Sequence, residues 1–196
     1  MISTFTAFFD SNVFVGARLR SLIVELAQSG QFRARWSEDV HREWMNAVIS
    51  NRPDLTNQAL SRVKDQMDKA VPDCVVDGYQ SLIGCLHLPD RDDRHVLAAA
   101  LVARASVIVT FNEKDFPAKT LAPLGLHTRH PDDFILDIAS LDRALFDEHV
   151  AFDISHYSKP PLSVADYCAA LRKAGVPKSA ARIEEIPDLF PAPPAP

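Results

Sequence analysis

The sequence predicts an α/β fold with a mostly parallel central sheet. Short aromatic or β-branched runs alternate with longer segments of helical periodicity, in the order strand, helix, strand, several helices, strand. The 196 residues suit one domain of ordinary size with a small appendage, and a hydrophobic content of 47% excludes wholesale disorder. We therefore expect a compact sheet with helices packed against it.

The first strand is predicted over residues 4–10, which are aromatic and β-branched and too few to form a helix. It ends at Asp10, and ligands bind beyond the carboxyl ends of strands in open α/β sheets. A helix follows over residues 13–29, with Gly30 as its stop, and residues 33–36 are predicted to form a second short strand. Asp10 is therefore the first candidate for a functional carboxylate.

The second helix begins after Ser37, a good N-cap residue, and it carries Glu43 close to its apolar stripe. A carboxylate beside a buried stripe needs a partner, although most helical glutamates are simply solvated. Further helices are predicted over residues 54–70 and 79–86, with a short strand or extended link at 73–76. Glu43 is the second candidate.

Three carboxylates, Asp90, Asp92 and Asp93, stand directly before an apolar, alanine-rich helix over residues 96–105. Like charges this close are costly to ionise together unless they lie in water, cap the helix or share a cation. In the ordinary interpretation Asp92 is the N-cap, Asp93 stabilises the first helical turn and Asp90 is solvated. The other interpretation is a shared cation, and the acids elsewhere in the chain favour it.

A third strand is predicted over residues 106–110, and another carboxylate, Asp115, follows shortly after its end. Residues 124–128 are expected to form an edge strand, and a helix opens at residues 130–134. Asp115 thus repeats the placement of an acid beyond the carboxyl end of a strand.

The C-terminal part of the chain differs in character. Segments 142–152 and 163–174 have helical periodicity with acidic outer faces, and the chain ends in a proline- and alanine-rich run. We expect a main domain over residues 1–135 and a helical extension over residues 136–196, with a frayed tail.

The formal net charge of −5 arises after residue 130, since residues 1–130 carry equal numbers of basic and acidic side chains. The main domain is therefore not a general polyanion binder, and any nucleic-acid contact must come from local arginines. These candidates, whose alternative role is to form a solvated face, are Arg18, Arg20, Arg33, Arg35 and Arg42.

Membrane insertion is not expected, because no apolar run approaches the ~20 residues that span a bilayer. The first residues also lack a signal-peptide pattern, so we expect a cytoplasmic protein. The three cysteines form no CxxC pair, which argues against a thiolate zinc site.

Four acids can be considered together. Asp10 and Asp115 follow strands, Asp93 opens a helix that leads into one of those strands, and Glu43 lies on a helix that follows another strand. All four could meet at one edge of the sheet. Mg²⁺ and Mn²⁺ prefer carboxylate oxygens, and such ions activate water and stabilise the departing oxygen in phosphodiester cleavage.

Four segments in order resemble the PIN-domain nucleases and, within them, the VapC-like ribonuclease toxins of bacterial toxin–antitoxin pairs. The segments are Phe9-Asp10-Ser-Asn12-Val-Phe, Glu43 on the second helix, Asp90-x-Asp-Asp93-x-x-Val-Leu-Ala-Ala, and Val109-Thr-x-Asn112-x-x-Asp115-Phe. The resemblance covers roughly the first 130 residues. It implies an α/β/α sandwich, divalent-metal-dependent cleavage of RNA and neutralisation by a small antitoxin.

The resemblance also implies roles for individual residues. Asp10, Asp93 and Asp115 would be ligands of Mg²⁺ or Mn²⁺. Glu43 would bind the metal directly or through water, or orient the attacking water, and Asp90 corresponds to an extra acid found in one variant of the motif.

Other positions of the motif would support these acids. Asn12, Thr110 and Asn112 would hold carboxylates in place, and Asp92 is the expected helix cap. Glu113 departs from the pattern and could join the acidic cluster. For RNA contacts we single out three of the arginines, Arg18, Arg20 and Arg42.

Two other functional classes stay open. A nonenzymatic PIN scaffold would bind RNA or protein without turnover. A phosphoacceptor receiver or a phosphatase of the haloacid dehalogenase type also uses acids at strand ends, but Asp10-Ser11-Asn12 lacks the Asp-x-Asp of the phosphatase and the paired acids of the receiver. The expected partners are an RNA substrate and a small antitoxin whose basic residue enters the acidic pocket, and a homodimer is also considered.

Overall fold

The computed structural model describes residues 4–157, 162–187 and 189, and it confirms the predicted α/β architecture. Four strands form one sheet: β1 (Thr6–Phe9), β2 (Arg33–Arg35), β3 (Val107–Val109) and β4 (His127–Arg129). Their order is β2-β1-β3-β4, and every neighbouring pair is parallel. The carboxyl ends of all four strands therefore lie at the same edge of the sheet.

Helices make up most of the remaining described chain. They are α1 (Ala17–Gln28), α2 (Glu38–Asn51), α3 (Asn57–Ala70), α4 (Gln80–Ile83), α5 (Arg94–Val102), α6 (Ala118–Leu121), α7 (Pro131–Leu141), α8 (Arg143–Ser155), α9 (Val164–Lys173) and α10 (Pro177–Glu184). None of these described helices combines the length and the apolar composition needed to cross a membrane.

The core lies on both faces of the sheet. Phe8 and Phe9 are both fully buried, and successive residues of a strand point to opposite faces, so helices must cover each face. The ring of Phe9 packs against the rings of Phe14, Phe32 and Phe134 at centroid distances of 5.8, 6.0 and 5.4 Å. This aromatic cluster fixes the position of β1, which leads into Asp10.

Local sequence signals explain several element boundaries. Ser37 is the N-cap of α2, as predicted, and its hydroxyl accepts a hydrogen bond from the backbone N of Val40 at 3.3 Å. Gly30, which has a φ of +75°, follows α1. The helix predicted from residue 13 begins later, at Ala17, because a short 3-10 turn (Ser11–Phe14) first carries the chain away from β1.

The C-terminal helices pack directly on the N-terminal part, with α8 against α1. Helix α10, which packs on α7 and α9, was not predicted, because this short helix shows few apolar side chains in sequence. A tertiary contact stabilises its N-terminus: the backbone N atoms of Lys178 and Ser179 donate to the buried carboxylate of Asp132 at 3.0 and 2.7 Å. The predicted boundary at residue 135 falls inside α7, and most of the tail expected to fray lies outside the described residues.

The link between α9 and α10 approaches the carboxyl edge of the sheet. Gly175 has a φ of +92°, and a Cβ atom added to it would lie 2.9 Å from Cε1 of Phe111, two residues beyond β3. A side chain at this position would be strained and would push against the ring. Glycine therefore lets the C-terminal helices pack against the loop that follows β3.

Candidate active site

Asp10 lies at the carboxyl end of β1, and both of its oxygens accept hydrogen bonds. Oδ1 accepts from the backbone N of Ser11 at 2.6 Å, and Oδ2 accepts from Nδ2 of Asn12 at 2.6 Å and from the hydroxyl of Thr110 at 2.7 Å. The residue is 4% exposed. Burial raises the pKa of its carboxyl group, although the bonds from Thr110 and Ser11 oppose this effect. Asp10 is thus a buried acid held in one orientation.

Thr110, which follows β3, connects the ends of two strands. Its hydroxyl donates to Asp10 and accepts from the backbone N of Asn112 at 2.9 Å and from Nδ2 of Asn12 at 3.1 Å. Oδ1 of Asn12 accepts in turn from the backbone N of Phe111 at 3.2 Å. The structure therefore brings together the three residues that the sequence assigned to supporting roles.

Asp115 lies beyond the end of β3 in a 3-10 turn (Glu113–Asp115). Nδ2 of Asn112 donates a hydrogen bond to Oδ2 of Asp115, and the backbone N of Asp115 donates to the carbonyl oxygen of Asn112 at 3.1 Å. Asn112 thus links this acid to Thr110. Glu113, which the sequence allowed as a further acid, is exposed.

Asp93 occupies the N-cap position of α5, but its side chain makes no capping hydrogen bond. Its Oδ2 atom is buried and has no hydrogen-bond partner among the described residues. Burial, together with the negative charges of Asp10, Asp90 and Asp115, raises the pKa of Asp93 to about 7. Asp93 therefore shares one electrostatic environment with Asp10, Asp90 and Asp115.

The prediction that Asp92 caps α5 is wrong. The helix begins at Arg94, so Asp93 holds the N-cap position. Asp92 is exposed, and its backbone N donates to Oδ1 of Asp90, also exposed, at 2.9 Å. This local turn delays the start of the helix, because a side-chain oxygen competes for the backbone donor.

Glu43 on α2 lies beside His95 on α5, and Oε1 of the glutamate is 2.7 Å from Nε2 of the imidazole. The side chain of Glu43 is 37% exposed, whereas that of His95 is only 11% exposed. Burial lowers the pKa of His95, but its interactions with Glu43 and with the charges of Asp39 and Asp10 outweigh burial, so the pKa is raised.

Sequence reasoning did not identify His95. Its place two residues after Asp93 was the available signal, since it brings a titratable ring to the first turn of the helix that Asp93 opens. The partner, Glu43, lies on another helix, and no local pattern reveals this pairing.

Comparison with known proteins identifies the fold. A family model described as "PIN domain" matches residues 6–114, more than half of the chain. The chain belongs to the PIN-domain family. The predicted resemblance to VapC-like PIN nucleases is also confirmed, since a model described as "VapC50 C-terminal domain" matches residues 131–185.

One curated relative of this PIN-domain protein is the Mycobacterium tuberculosis protein named "Putative ribonuclease VapC50". The two are 38% identical over 115 residues, which cover 59% of this chain and 65% of the relative. The chain thus spans less than two thirds of the relative's length. No solved structure matches the chain.

The PIN domain buries Arg20, one of the arginines predicted to contact RNA. Arg20 is 8% exposed, its guanidinium donates to the carbonyl oxygen of Phe14 at 2.5 Å and lies 4.6 Å from the centroid of the Trp44 ring. Burial lowers the pKa of Arg20 to about 10. These contacts disfavour Arg20 as an RNA ligand, because its guanidinium is engaged inside the fold.

The other two predicted arginines also have protein partners. The guanidinium of Arg18 lies 3.7 Å from the centroid of the Tyr157 ring, and the exposed side chain of Arg42 pairs with Oδ1 of Asp39 at 2.5 Å. Two cations beside the acids were not singled out from the sequence. Arg91 and Lys114 are exposed, and neither forms an ion pair with another residue in the described ranges.

The acids of the PIN domain do not enclose a formed coordination site. Within residues 4–157, 162–187 and 189, no group of three or more His, Cys, Asp or Glu side chains is arranged to hold a metal ion. Both oxygens of Asp10 and one of Asp115 are engaged by protein donors. The chemistry of the donors nevertheless fits a hard divalent cation, because carboxylates gather here and Oδ2 of Asp93 lacks a partner.

Proposed function

We propose that this PIN-domain protein is a ribonuclease that hydrolyses RNA phosphodiester bonds with the aid of Mg²⁺ or Mn²⁺. The observation that carries the proposal is the set of hydrogen bonds that joins Asp10, through Thr110 and Asn112, to Asp115, with Asp93 near enough for the charges of both acids to raise its pKa. A divalent cation would relieve this repulsion. The relative's name, "Putative ribonuclease VapC50", supports the same activity.

The metal would be held by Asp10, Asp93 and Asp115, after rotation of carboxylates that now bond to protein donors. Glu43 would bind it directly or through water, or orient the attacking water, and Asp90 would add negative charge at the exposed side. When bound, the metal supplies an activated water and stabilises the oxygen that departs from phosphorus.

Three further residues would position the catalytic acids. Thr110 and Asn12 restrain Asp10 between two strand ends, and Asn112 restrains Asp115. Such partners of ligands hold them near a productive geometry, which limits the reorganisation that binding requires. The site is therefore organised around β1 and β3.

RNA would approach the exposed side of this edge. Arg91 lies between Asp90 and Asp92 in sequence, and Lys114 directly precedes Asp115, so both cations are tied to the acidic loops. We propose that they bind phosphates on either side of the cleaved bond, with Arg42 as a further contact. Arg18 remains a weaker candidate because its guanidinium stacks on Tyr157.

Incubation of the purified protein with transfer, ribosomal and messenger RNA tests the activity. We expect cleavage in Mg²⁺ or Mn²⁺ and none in EDTA, and the Asp10→Asn variant prepared in parallel controls for contaminating nucleases. A wild type that leaves all three RNAs intact with either metal would contradict the proposal.

A nonenzymatic PIN scaffold is the second candidate, favoured by the absence of a formed metal-ligand group within the described part of the chain. The same incubation distinguishes the two functions, because a scaffold would retain RNA in a filter-binding or gel-shift assay without shortening it. A phosphoacceptor is disfavoured by membership of the PIN-domain family.

We further propose that the protein is the toxin of a toxin–antitoxin pair and acts in the cytoplasm. The antitoxin would be a small protein that places an Arg or Lys side chain among the carboxylates, competing with metal and RNA. The physical reason is that a cavity of several acids is a strong cation site, where a guanidinium can form bidentate pairs.

The neighbouring gene is the place to seek this antitoxin. Replacing the inserted basic residue by alanine should restore RNA cleavage and weaken the complex, and rising Mg²⁺ should lower the affinity of the intact antitoxin. Equal binding to wild type and to the Asp10→Asn, Asp93→Asn double variant would exclude the acidic pocket as the docking site.

We also propose that the chain has two functional parts. Residues 1–135 would form the nuclease part and residues 136–196 the extension, with α7 shared between them. A homodimer is the assembly to examine first, by light scattering with and without RNA.

A further inference from the structure

We propose that His95 is a positioning residue of this nuclease, which orients Glu43 toward the acidic cluster. The inference rests on the proposed function and extends it to a residue other than the proposed catalytic acids Asp10, Glu43, Asp93 and Asp115. Its basis is the 2.7 Å separation between Nε2 of His95 and Oε1 of Glu43.

Glu43 needs an external restraint. Its side chain is partly exposed on α2, and a long, flexible side chain loses conformational entropy whenever it is held in one rotamer. His95 is the one cationic or potentially cationic side chain of the described residues within ion-pairing distance of it. No other ion pair or side-chain hydrogen bond within the described ranges holds the Glu43 carboxylate.

His95 is itself well restrained. It lies in the first turn of α5, two residues after Asp93, and its ring is largely buried. Because the imidazole is largely buried on α5, its contact with Glu43 restrains that side chain of α2 relative to α5. The contact therefore restrains Glu43, on α2, relative to Asp93, which directly precedes α5, and Glu43 is near enough to Asp10 for its charge to act on that acid.

The chemistry of the two groups determines which one donates the proton. An ionised carboxylate only accepts hydrogen bonds, so Nε2 must carry the proton that faces Glu43. Both the neutral ring with its proton on Nε2 and the imidazolium satisfy this condition, and positioning does not depend on which is present. Nδ1 is buried without a hydrogen-bond partner among the described residues, so no contact of the other ring nitrogen competes with the contact to Glu43.

A merely structural role makes different predictions. If the pair only joins α2 to α5, its loss should lower stability, and activity should fall only as far as the protein unfolds. If His95 orients Glu43, a folded variant without the N–H group should lose turnover, and a side chain that restores an N–H at the position of Nε2 should recover it. Glutamine offers such a donor, whereas leucine does not.

The experiment compares His95→Leu and His95→Gln with wild type, using His127→Leu as the matched control. His127 is an exposed histidine at the start of β4, at the opposite end of that strand from the acids. On RNA with Mg²⁺, we expect kcat of His95→Leu to fall about 10- to 100-fold with little change in KM or melting temperature. His95→Gln should recover most of the loss, and His127→Leu should match wild type.

A double-mutant cycle with Glu43→Gln tests whether His95 affects catalysis through Glu43. If His95 acts through Glu43, His95→Leu should lower kcat much less in the Glu43→Gln background than in wild type. Equal losses in both backgrounds, or a His95→Leu variant with wild-type kcat, would overturn the proposal. So would a loss in His95→Leu that tracks its unfolding and is not recovered by His95→Gln.

Calorimetric titration with Mn²⁺ separates this inference from the nuclease function. Weaker Mn²⁺ binding by His95→Leu, restored in His95→Gln, supports positioning of Glu43 even if wild type cleaves no RNA. In that case the nuclease proposal fails and the positioning role stands as part of a metal site. Equal Mn²⁺ affinity in all variants of an inactive protein would overturn both.

Discussion

The hydroxyl of Thr110, at the end of β3, donates a 2.7 Å hydrogen bond to Oδ2 of Asp10, at the end of β1. The same hydroxyl accepts from the backbone N of Asn112 and from Nδ2 of Asn12. One side chain therefore connects the candidate metal ligand of the first strand to the loop that carries Asp115. Its position between neighbouring parallel strands makes this connection possible.

Substitution of Thr110 by valine should disturb both stability and activity. Valine preserves the shape but leaves buried polar groups without their partner, which costs about 1–3 kcal/mol in the free energy of unfolding. We expect a roughly 10-fold loss of RNA cleavage. Thr110→Ser, which keeps the hydroxyl, is the matched control, and urea unfolding with initial-rate assays provides the measurement. Wild-type activity in Thr110→Val would show that the connection is dispensable.

The four candidate acids should be individually required. Asp10→Asn, Glu43→Gln, Asp93→Asn and Asp115→Asn should each lower the cleavage rate ~100-fold or more, because each removes a charge that a bound metal would need. Asp92→Asn is the control, since this exposed acid stands in the same loop and does not cap α5. Circular dichroism verifies folding, and full activity in any two of the four variants would end the four-acid interpretation.

Divalent metal should raise the melting temperature of the wild type. An ion that binds only the folded state stabilises it by about 2.7 kcal/mol at 100 times its Kd, a rise of roughly 5–10 °C for a chain of this size. Asp10→Asn and Asp93→Asn should respond less. Differential scanning fluorimetry with Mg²⁺, Mn²⁺ and Ca²⁺ measures the effect. No shift at millimolar concentrations would favour the nonenzymatic scaffold.

Asp93 should make the metal-free protein less stable as the pH rises. Its pKa is raised from 3.8 to about 7 in the folded state, so its stabilising contribution is complete below about pH 4 and is lost as the pH rises through about 7. Relative to Asp93→Asn, the wild type should lose ~1–2 kcal/mol over this range, after discounting for solvent screening. Urea unfolding in EDTA at several pH values measures the difference, which would be independent of pH if Asp93 had an ordinary pKa.

Arg91 and Lys114 should contribute to RNA affinity rather than to catalysis. Arg91→Gln and Lys114→Gln should each weaken binding about 3- to 10-fold and lower the slope of log affinity against log salt by about 0.7. Arg104→Gln is the control, since this exposed arginine precedes β3 at the opposite end of the strand. Fluorescence anisotropy in the Asp10→Asn background measures binding without cleavage, and unchanged salt slopes would refute these contacts.

Local signals made much of the fold predictable. The capping side chain of Ser37, the turn at Gly30 and the β-branched run that contains β3 are each visible within a few residues of sequence. Helix α10 could not be found in this way, because a stabilising contact at its N-terminus comes from Asp132 on α7. Elements whose stability depends on distant partners leave little trace in a local pattern.

The candidate site was also predictable where it depends on local sequence signals and strand order, and not where it depends on contacts between distant side chains. Asp10, Thr110 and Asp115 could be placed near one another because parallel strands bring their carboxyl ends to one edge. The burial of Arg20 against the Trp44 ring could not be predicted, because the sequence does not show which ring will pack against a given arginine. The pairing of Glu43 with His95 was hidden for the same reason.

The packing of Gly175 against Phe111 bears on the order in which parts of the fold are completed during synthesis. Synthesis proceeds from the N-terminus, so Asp10 at the end of β1 and Asp115 in the turn after β3 emerge from the ribosome well before Gly175. Until that glycine emerges, the Phe111 ring lacks its contact with Gly175, although the ring of His130, whose centroid lies 5.0 Å away, can already pack against it. The loop beside the candidate acids therefore reaches its final packing only after the C-terminal helices have been synthesised.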